Sequence, residues 1–218
     1  RAVTINTIGS LVRVTTSLSN AFEAGTASGR FTVSRSGVTQ NSVLIKYAVS
    51  GTATPGSDYT PLSGTATLSA GVISTAVFVA PINDGSPECP ETVVLTLSPD
   101  PSYALSSPSS STVTIIDNDL PTVTIAATQS NAYEQGSSNG VFTVTHTGCT
   151  NAALAVTYTL SGAASNGVDF ASLNGTVTIP AGASSQVINV IPVNDSIPEC
   201  PETVALSISA DPAYIVGT

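Results

Sequence analysis

The chain has 218 residues, of which only 9% are charged, and its formal net charge is −9. This balance argues against a nucleic-acid partner, because phosphate binding needs a basic surface that the composition does not supply. No apolar run approaches the roughly 18 residues of a membrane span, so we do not expect membrane insertion.

Short runs rich in Val, Ile and Thr follow one another along the chain, separated by clusters of Gly, Pro, Asn and Ser about every ten residues. In the first half they predict strands near residues 11–16, 30–35, 43–49, 63–68, 73–82, 91–97 and 112–117. Period-two alternation in short strands is typical of an antiparallel β-sandwich. No amphipathic helix is indicated, so the predicted fold is all-β.

The two halves of the chain repeat each other at a spacing of 111 residues, without a gap from about residue 20 to residue 107. The loop PINDGSPECPETV at 81–93 recurs as PVNDSIPECPETV at 192–204. Because this similarity covers most of each half, we predict tandem sandwiches. They occupy residues 11–119 and 120–218, after an N-terminal strand segment at 1–10.

Nearly all of the 14 acidic residues lie in loops that the predicted strand directions bring to one end of each sandwich. Carboxylates gathered there would repel one another and raise one another's pKa unless a cation neutralised them. Ca²⁺ takes six to eight hard oxygen ligands in flexible geometry, whereas Mg²⁺ prefers to keep its water. The alternative is that the acids occupy turns for solubility, with Asp58 making an Asx-turn.

Four segments of the first repeat resemble the Calx-β domain: FEAG at 22–25, GTATPGSDYTPLSGT at 51–65, INDGSPECPE at 82–91 and TVTIIDND at 112–119. The family is known from the regulatory loop of sodium–calcium exchangers and from large bacterial surface proteins. The resemblance continues through the second repeat from 122 to 218. It implies immunoglobulin-like sandwiches whose distal loops bind Ca²⁺.

Carried over position by position, the resemblance assigns Ca²⁺ ligands in both repeats. In the first repeat they are Glu23, Asp58, Asp84, Glu88, Glu91, Asp117 and Asp119. In the second they are Glu134, Asp169, Asp195, Glu199 and Glu202. Asn83 and Asn118 stand where stronger binders of the family have acids, so we expect fewer ions or a lower affinity. The second repeat reaches IVGT without a closing DND, and its site is incomplete as written.

The second predicted sandwich lacks its last strand, which would leave a groove and unpaired strand edges. AVTI at 2–5 resembles TVTI at 112–115, the last strand of the first repeat. The chain is either a two-repeat slice of a longer array, or its N-terminal segment completes the second sandwich of another copy by donor-strand complementation. Head-to-tail donation generates a filament. In both cases Asn6 and Thr7 replace the acidic exit of the first repeat.

The three cysteines allow one disulfide. Cys89 and Cys200 occupy equivalent loops at the acidic end, and Cys149 lies in a loop at the opposite end of the second repeat. In an end-to-end tandem those ends abut, so Cys89–Cys149 is a candidate disulfide, which would fit an oxidising, extracellular location. Cys200 is then left over. The alternative is three buried thiols acting as small hydrophobic residues.

The chain offers few catalytic groups. His146 is the single histidine and ends a predicted strand, where we expect a solvated side chain, and no nucleophile elbow or phosphate-binding loop accompanies it. We therefore expect a non-enzymatic, calcium-binding module of an extracellular filament or stalk, whose partners are other copies of itself or neighbouring repeats. The alternative is a calcium-dependent adhesin or sensor module from a larger multi-repeat surface protein.

Overall fold

A computed structural model describes residues 9–25, 27–135, 138–195 and 200–218. These residues form two compact units: the first extends to Asn118, and the second covers Asp119–Thr218 together with the short segment Ser86–Cys89. In the described part of the chain there is no helix that could span a membrane.

The first sandwich is built from antiparallel strands with two short parallel additions. Its strands are β1 (Ser10–Leu18), β2 (Asn20–Phe22), β3 (Gly29–Ser36), β4 (Val43–Gly51), β5 (Thr65–Leu68), β6 (Ser74–Val79), β7 (Glu91–Leu97), β8 (Tyr103–Leu105) and β9 (Ser110–Ile116). One sheet has the order β6-β3-β1-β8 and the other β2-β9-β7-β4-β5. The parallel pairs are β1 with β8 and β2 with β9.

The core of the first sandwich follows from alternation along the strands. In β3, Phe31 and Val33 are fully buried, and the residues between them are only half-buried. In β4, Val43, Ile45 and Tyr47 point inward in the same way. Because successive strand side chains face opposite sides, each strand contributes every second residue to the space between the sheets.

The second sandwich repeats this order with fewer strands. They are β10 (Thr122–Gln129), β11 (Gly140–His146), β12 (Leu154–Gly162), β13 (Thr176–Ile179), β14 (Ser185–Val190), β15 (Val204–Ile208) and β16 (Ile215–Val216). The sheets are β14-β11-β10-β16 and β13-β12-β15. No strand equivalent to β2 or β9 occurs among the described residues of this sandwich, so β15 lies at a sheet edge.

The all-β prediction is confirmed, and every predicted strand of the first repeat has a counterpart. Two boundaries differ. The strand predicted at 63–68 begins only at Thr65, because Gly64 adopts φ +75° in a turn. The strand predicted at 73–82 ends at Val79, and Pro81 beyond it pairs with Tyr59 outside any strand.

A tyrosine near the end of each repeat ties its strands together. The Tyr103 hydroxyl donates to the Ser98 carbonyl (2.7 Å) and accepts from the Lys46 amide (3.2 Å). Lys46 Nζ lies 2.9 Å from Asp100 Oδ2. The hydrogen bond from Lys46, with those from Ser102, lowers the pKa of Asp100 to about 2. Tyr214 donates to the Ser209 carbonyl in the same way (2.9 Å).

His146 is not the solvated surface residue that we expected. It is 8% exposed at the end of β11. Its Nδ1 lies 2.9 Å from the Thr147 carbonyl oxygen and its Nε2 lies 3.2 Å from the Ala183 carbonyl oxygen. The ring is therefore a buried connection between a strand end and a loop, a structural role that explains its position.

Candidate metal centre

A tight loop after β4 fixes the position of Asp58. The Asp58 amide donates to the Thr54 carbonyl (3.0 Å), the Thr54 amide donates back to Asp58 Oδ2, and Gly56 provides the positive φ of +94° that the turn needs. Asp58 is only 8% exposed. Burial, together with the charge of Asp58, raises the pKa of the adjacent Tyr59. The turn interpretation is thus correct for one oxygen of Asp58, and a carboxylate has a second.

Glu23 follows the short strand β2 directly. Phe22 is paired with Ile116 of β9, and the Glu23 amide donates to the Ile116 carbonyl (3.1 Å). The Glu23 side chain is 5% exposed. A buried carboxylate is costly unless hydrogen bonds or a cation compensate it. The pairing of β2 with β9 therefore holds a charged side chain at the end of the sandwich where the chain leaves β9.

The long connection from β6 to β7 supplies the remaining loop ligands. The Ile82 amide donates to the Asp58 carbonyl (3.0 Å), which joins this connection to the Asp58 loop. Asp84 and Glu88 lie further along it and are exposed, and Glu91 is the first residue of β7. The connection therefore runs past both buried acids.

Two groups of three carboxylates result. Glu23, Asp84 and Asp119 form one group, and Asp58, Glu88 and Glu91 form the other. In each group one oxygen per residue lies within 4.8 Å of the other two. Asp117 was predicted with them and is half-buried, but it belongs to neither group.

The spacing and chemistry of both groups fit Ca²⁺. Calcium–oxygen bonds of about 2.3–2.6 Å allow two ligand oxygens on one ion to lie at most about 5 Å apart. Every side-chain donor in the two groups is a hard carboxylate oxygen. Glu91 Oε2 and Asp119 Oδ2 are shielded from solvent, a setting in which a divalent cation gains most from negative charge.

In the second repeat the structure reproduces the Asp58 loop. The Ser165 amide donates to Asp169 Oδ2 (2.6 Å) and the Val193 amide donates to the Asp169 carbonyl (2.9 Å). Glu134 and Asp169 are half-buried, and Asp195 and Glu202 are exposed. Glu199 lies outside the described residues. Across the part of this repeat that the structure describes, no three acids come together as they do in the first.

Cys89, in the acidic loop, is bonded to Cys149, and Cys200 is an exposed free thiol. Beside the bond, Gly148 adopts φ +86°, and a Cβ on it would lie 2.8 Å from Pro87 Cβ. Any other residue at 148 would thus be both strained and crowded. The HTGCTN sequence contains this requirement, but spacing alone does not reveal what approaches the glycine.

The model of the Calx-beta domain matches residues 12–119 and again residues 117–214. The chain belongs to the Calx-β family. Both carboxylate groups lie within the first Calx-β match. No curated protein matches the chain.

Solved structures with the same tandem arrangement share the fold. CBD12 from CALX1.2 is 21% identical, with 83% of this chain and 76% of that chain covered and a TM-score of 0.43. The calcium binding domain CBD12 of CALX1.1 is 20% identical, with coverages of 89% and 80% and a TM-score of 0.44. The apo-form Calx CBD1 domain is 24% identical, covers 50% of this chain and 99% of its own, and has a TM-score of 0.43.

Proposed function

We propose that this tandem of Calx-β repeats is a non-enzymatic, calcium-binding structural module of an extracellular filament or stalk. The observation that carries the proposal is the convergence of six acids from separate loops into two groups of the size of a calcium coordination shell. The first repeat is the main Ca²⁺ site. Glu23 and Asp58 form its buried side, and Asp84 and Glu88 form its accessible side.

Calcium links the loops that it binds. The ligands come from the β2 end, the loop after β4, the β6–β7 connection and the exit from β9. An ion bound only by the folded arrangement adds RT ln(1 + [L]/Kd) to the free energy of unfolding, about 2.7 kcal/mol at a hundredfold excess over Kd. The module should therefore be more rigid and more stable in a calcium-rich medium.

Isothermal titration calorimetry with CaCl₂ tests the metal proposal. Asp84→Asn keeps the size of the side chain and removes one ligand charge, so we expect weaker binding or loss of one ion. Asp195→Asn is the matched control, since it changes the equivalent residue of the second repeat, where no three-acid group is seen in the described residues. Absence of calcium uptake by the unmodified chain at millimolar Ca²⁺ would overturn the proposal.

An extracellular location and head-to-tail association are the finer part of this proposal. The Cys89–Cys149 bond supports an oxidising compartment, because disulfides persist mainly outside the cytosol. Association is supported by β15, a sheet edge in the described part of the second sandwich, because strand edges are sites of pairing with other chains. Negative-stain microscopy of the purified chain should show filaments, and isolated short rods at all concentrations would contradict this part.

The second candidate is a calcium-dependent adhesin or sensor module. It is favoured by the exposure of Asp84 and Glu88, which would let a molecule from outside share a bound ion. A sensor should remain monomeric and change shape with calcium. Small-angle X-ray scattering in Ca²⁺ and in a chelator separates the two candidates, since a filament module should assemble and a sensor should change its radius of gyration as a monomer.

A further inference from the structure

Strand β9 fills a specific space in the first sandwich. It pairs with β7 in antiparallel register, with Val93 opposite Val113 and Glu91 opposite Ile115. Val113 and Ile115 are 0% and 2% exposed. A Cβ added at Gly29 would collide with the Val113 side chain, so β3 and β9 are in close contact here. This strand is therefore an integral part of the core.

The same space is open in the second sandwich. Val204, Ile125 and Phe142 are half-buried, whereas their counterparts in the first sandwich, 111 residues earlier, are fully buried. Ala132 is exposed, and its counterpart Ala21 is fully buried. Among the residues that the structure describes, the nearest atom to a Cβ added at Gly140 is Val190 Cβ at 3.4 Å.

These differences define an apolar groove along β15, which we name the β15 groove: its floor is Ile125, Phe142 and Val204. The groove has the length of one short strand, because it replaces one. Its edge offers backbone hydrogen-bonding groups and its floor offers partly exposed apolar side chains. Strand addition uses both, since main-chain bonds supply affinity and alternate side-chain pockets supply specificity.

We propose that the β15 groove binds residues 2–5 of a second copy of this chain as an added antiparallel strand, with Val3 opposite Val204 and Ile5 opposite Glu202. The inference rests on the head-to-tail association proposed above and specifies its contact. In this register Val3 and Ile5 enter the positions that Val113 and Ile115 occupy in the first sandwich. Ala2 and Thr4 face outward.

The sequence favours this occupant. The pattern Ala/Thr-Val-Thr-Ile occurs at residues 2–5, 112–115, 122–125 and 176–179. The last three copies lie in β9, β10 and β13. Residues 2–5 lie outside the described residues, and they carry the same alternation of inward Val and Ile with an uncharged side chain between them. Val and Ile also match the side chains of the β9 residues that fill the equivalent space.

The first experiment uses full-length chains that carry paired substitutions in the proposed donor. Val3→Asp with Ile5→Asp places charge in the groove, and Ala2→Asp with Thr4→Asp places the same charge on the outer face. Assembly is measured by size-exclusion chromatography with light scattering. We expect the first pair to be monomeric and the second to assemble as the unmodified chain does. Assembly by the first pair would overturn the groove assignment and leave the filament proposal standing.

The second experiment measures the groove without filament formation. A fluorescent peptide of residues 1–10 is titrated into the full-length Val3→Asp, Ile5→Asp chain and followed by anisotropy. We expect saturable binding, and loss of it when the peptide carries the same two substitutions. Equal binding of both peptides, or binding of neither, would overturn the proposal. That second result would assign the groove to another occupant, such as a segment following residue 218 in a longer chain.

The two proposals can fail separately. A calcium titration of the same variants should match that of the unmodified chain, because the carboxylate groups of the first repeat are unchanged. Peptide binding without calcium uptake would remove the metal proposal only. Calcium uptake without selective peptide binding would remove the groove proposal only.

Discussion

Arg35 and His146 stand 111 residues apart at the same place in the two sandwiches, and both are buried with side-chain nitrogens directed at backbone carbonyls. Arg35 donates to the carbonyls of Thr39, Asn41, Ser69 and Val72 at 2.7–3.0 Å. His146 reaches two carbonyl oxygens. One structural role, joining a strand end to its neighbouring loops, is thus filled by two different side chains.

Arg35→Ala should destabilise the first sandwich by about 2–4 kcal/mol, because buried carbonyls would lose charge-assisted donors. Thermal or urea unfolding measures the effect. Arg13→Ala is the control, since Arg13 is exposed and makes a single long contact with Ser34 Oγ (3.3 Å). Equal effects of the two substitutions would contradict the structural role given to Arg35.

Asp58→Asn should weaken Ca²⁺ binding by about tenfold or more, since affinity follows the number of charged ligands. The amide oxygen of asparagine can still accept from the Thr54 amide, so the loop should be kept. Asp169→Asn makes the same change in the equivalent loop of the second repeat and should alter affinity little. Calorimetry compares the two variants, and a stronger effect from Asp169 would place the main site in the wrong repeat.

Asp100 should contribute to acid stability. Its pKa in the folded chain is about 2, below the ordinary 3.8, chiefly because Lys46 donates to it. A lowered pKa means that the contribution is complete above about pH 4 and is lost as the pH falls towards 2. Asp100→Asn should therefore destabilise the chain at pH 6 and have little effect near pH 2. Chemical denaturation at both pH values checks this, and an effect that does not change with pH would disprove the linkage.

Mass spectrometry under non-reducing conditions should find peptides containing Cys89 joined to peptides containing Cys149, with Cys200 alone modified by iodoacetamide. Pepsin is the suitable protease, because Lys46 is the last basic residue of the chain and trypsin cannot separate the cysteines. Alkylation of Cys89 without reduction would show that the bond is absent from the protein.

The fold was largely accessible from the sequence because alternation and the 111-residue repeat are local and internal signals. The short strands β2 and β8 were missed, since three residues carry too little periodicity to be recognised. The burial of His146 was also missed. Nothing in a strand-end position indicates that a loop carbonyl such as that of Ala183 will cover the side chain.

The candidate site was accessible in composition but not in arrangement. Strand direction brought the acids to one end, yet their separation into two groups depends on loop paths, such as the Ile82–Asp58 hydrogen bond, that spacing does not encode. Asp117 illustrates this limit, because it lies two residues before Asp119 in the sequence and only Asp119 joins a group. Adjacent residues leaving a strand point in different directions.

The PECPETV sequence occurs twice in this polypeptide, and only its first copy is covalently cross-linked, through Cys89. The molecule thus contains an internal comparison in which composition, temperature and solvent are the same for both copies. Amide hydrogen exchange read at the two heptapeptides before and after reduction would measure what the cross-link alone contributes to local opening, without any engineered reference protein.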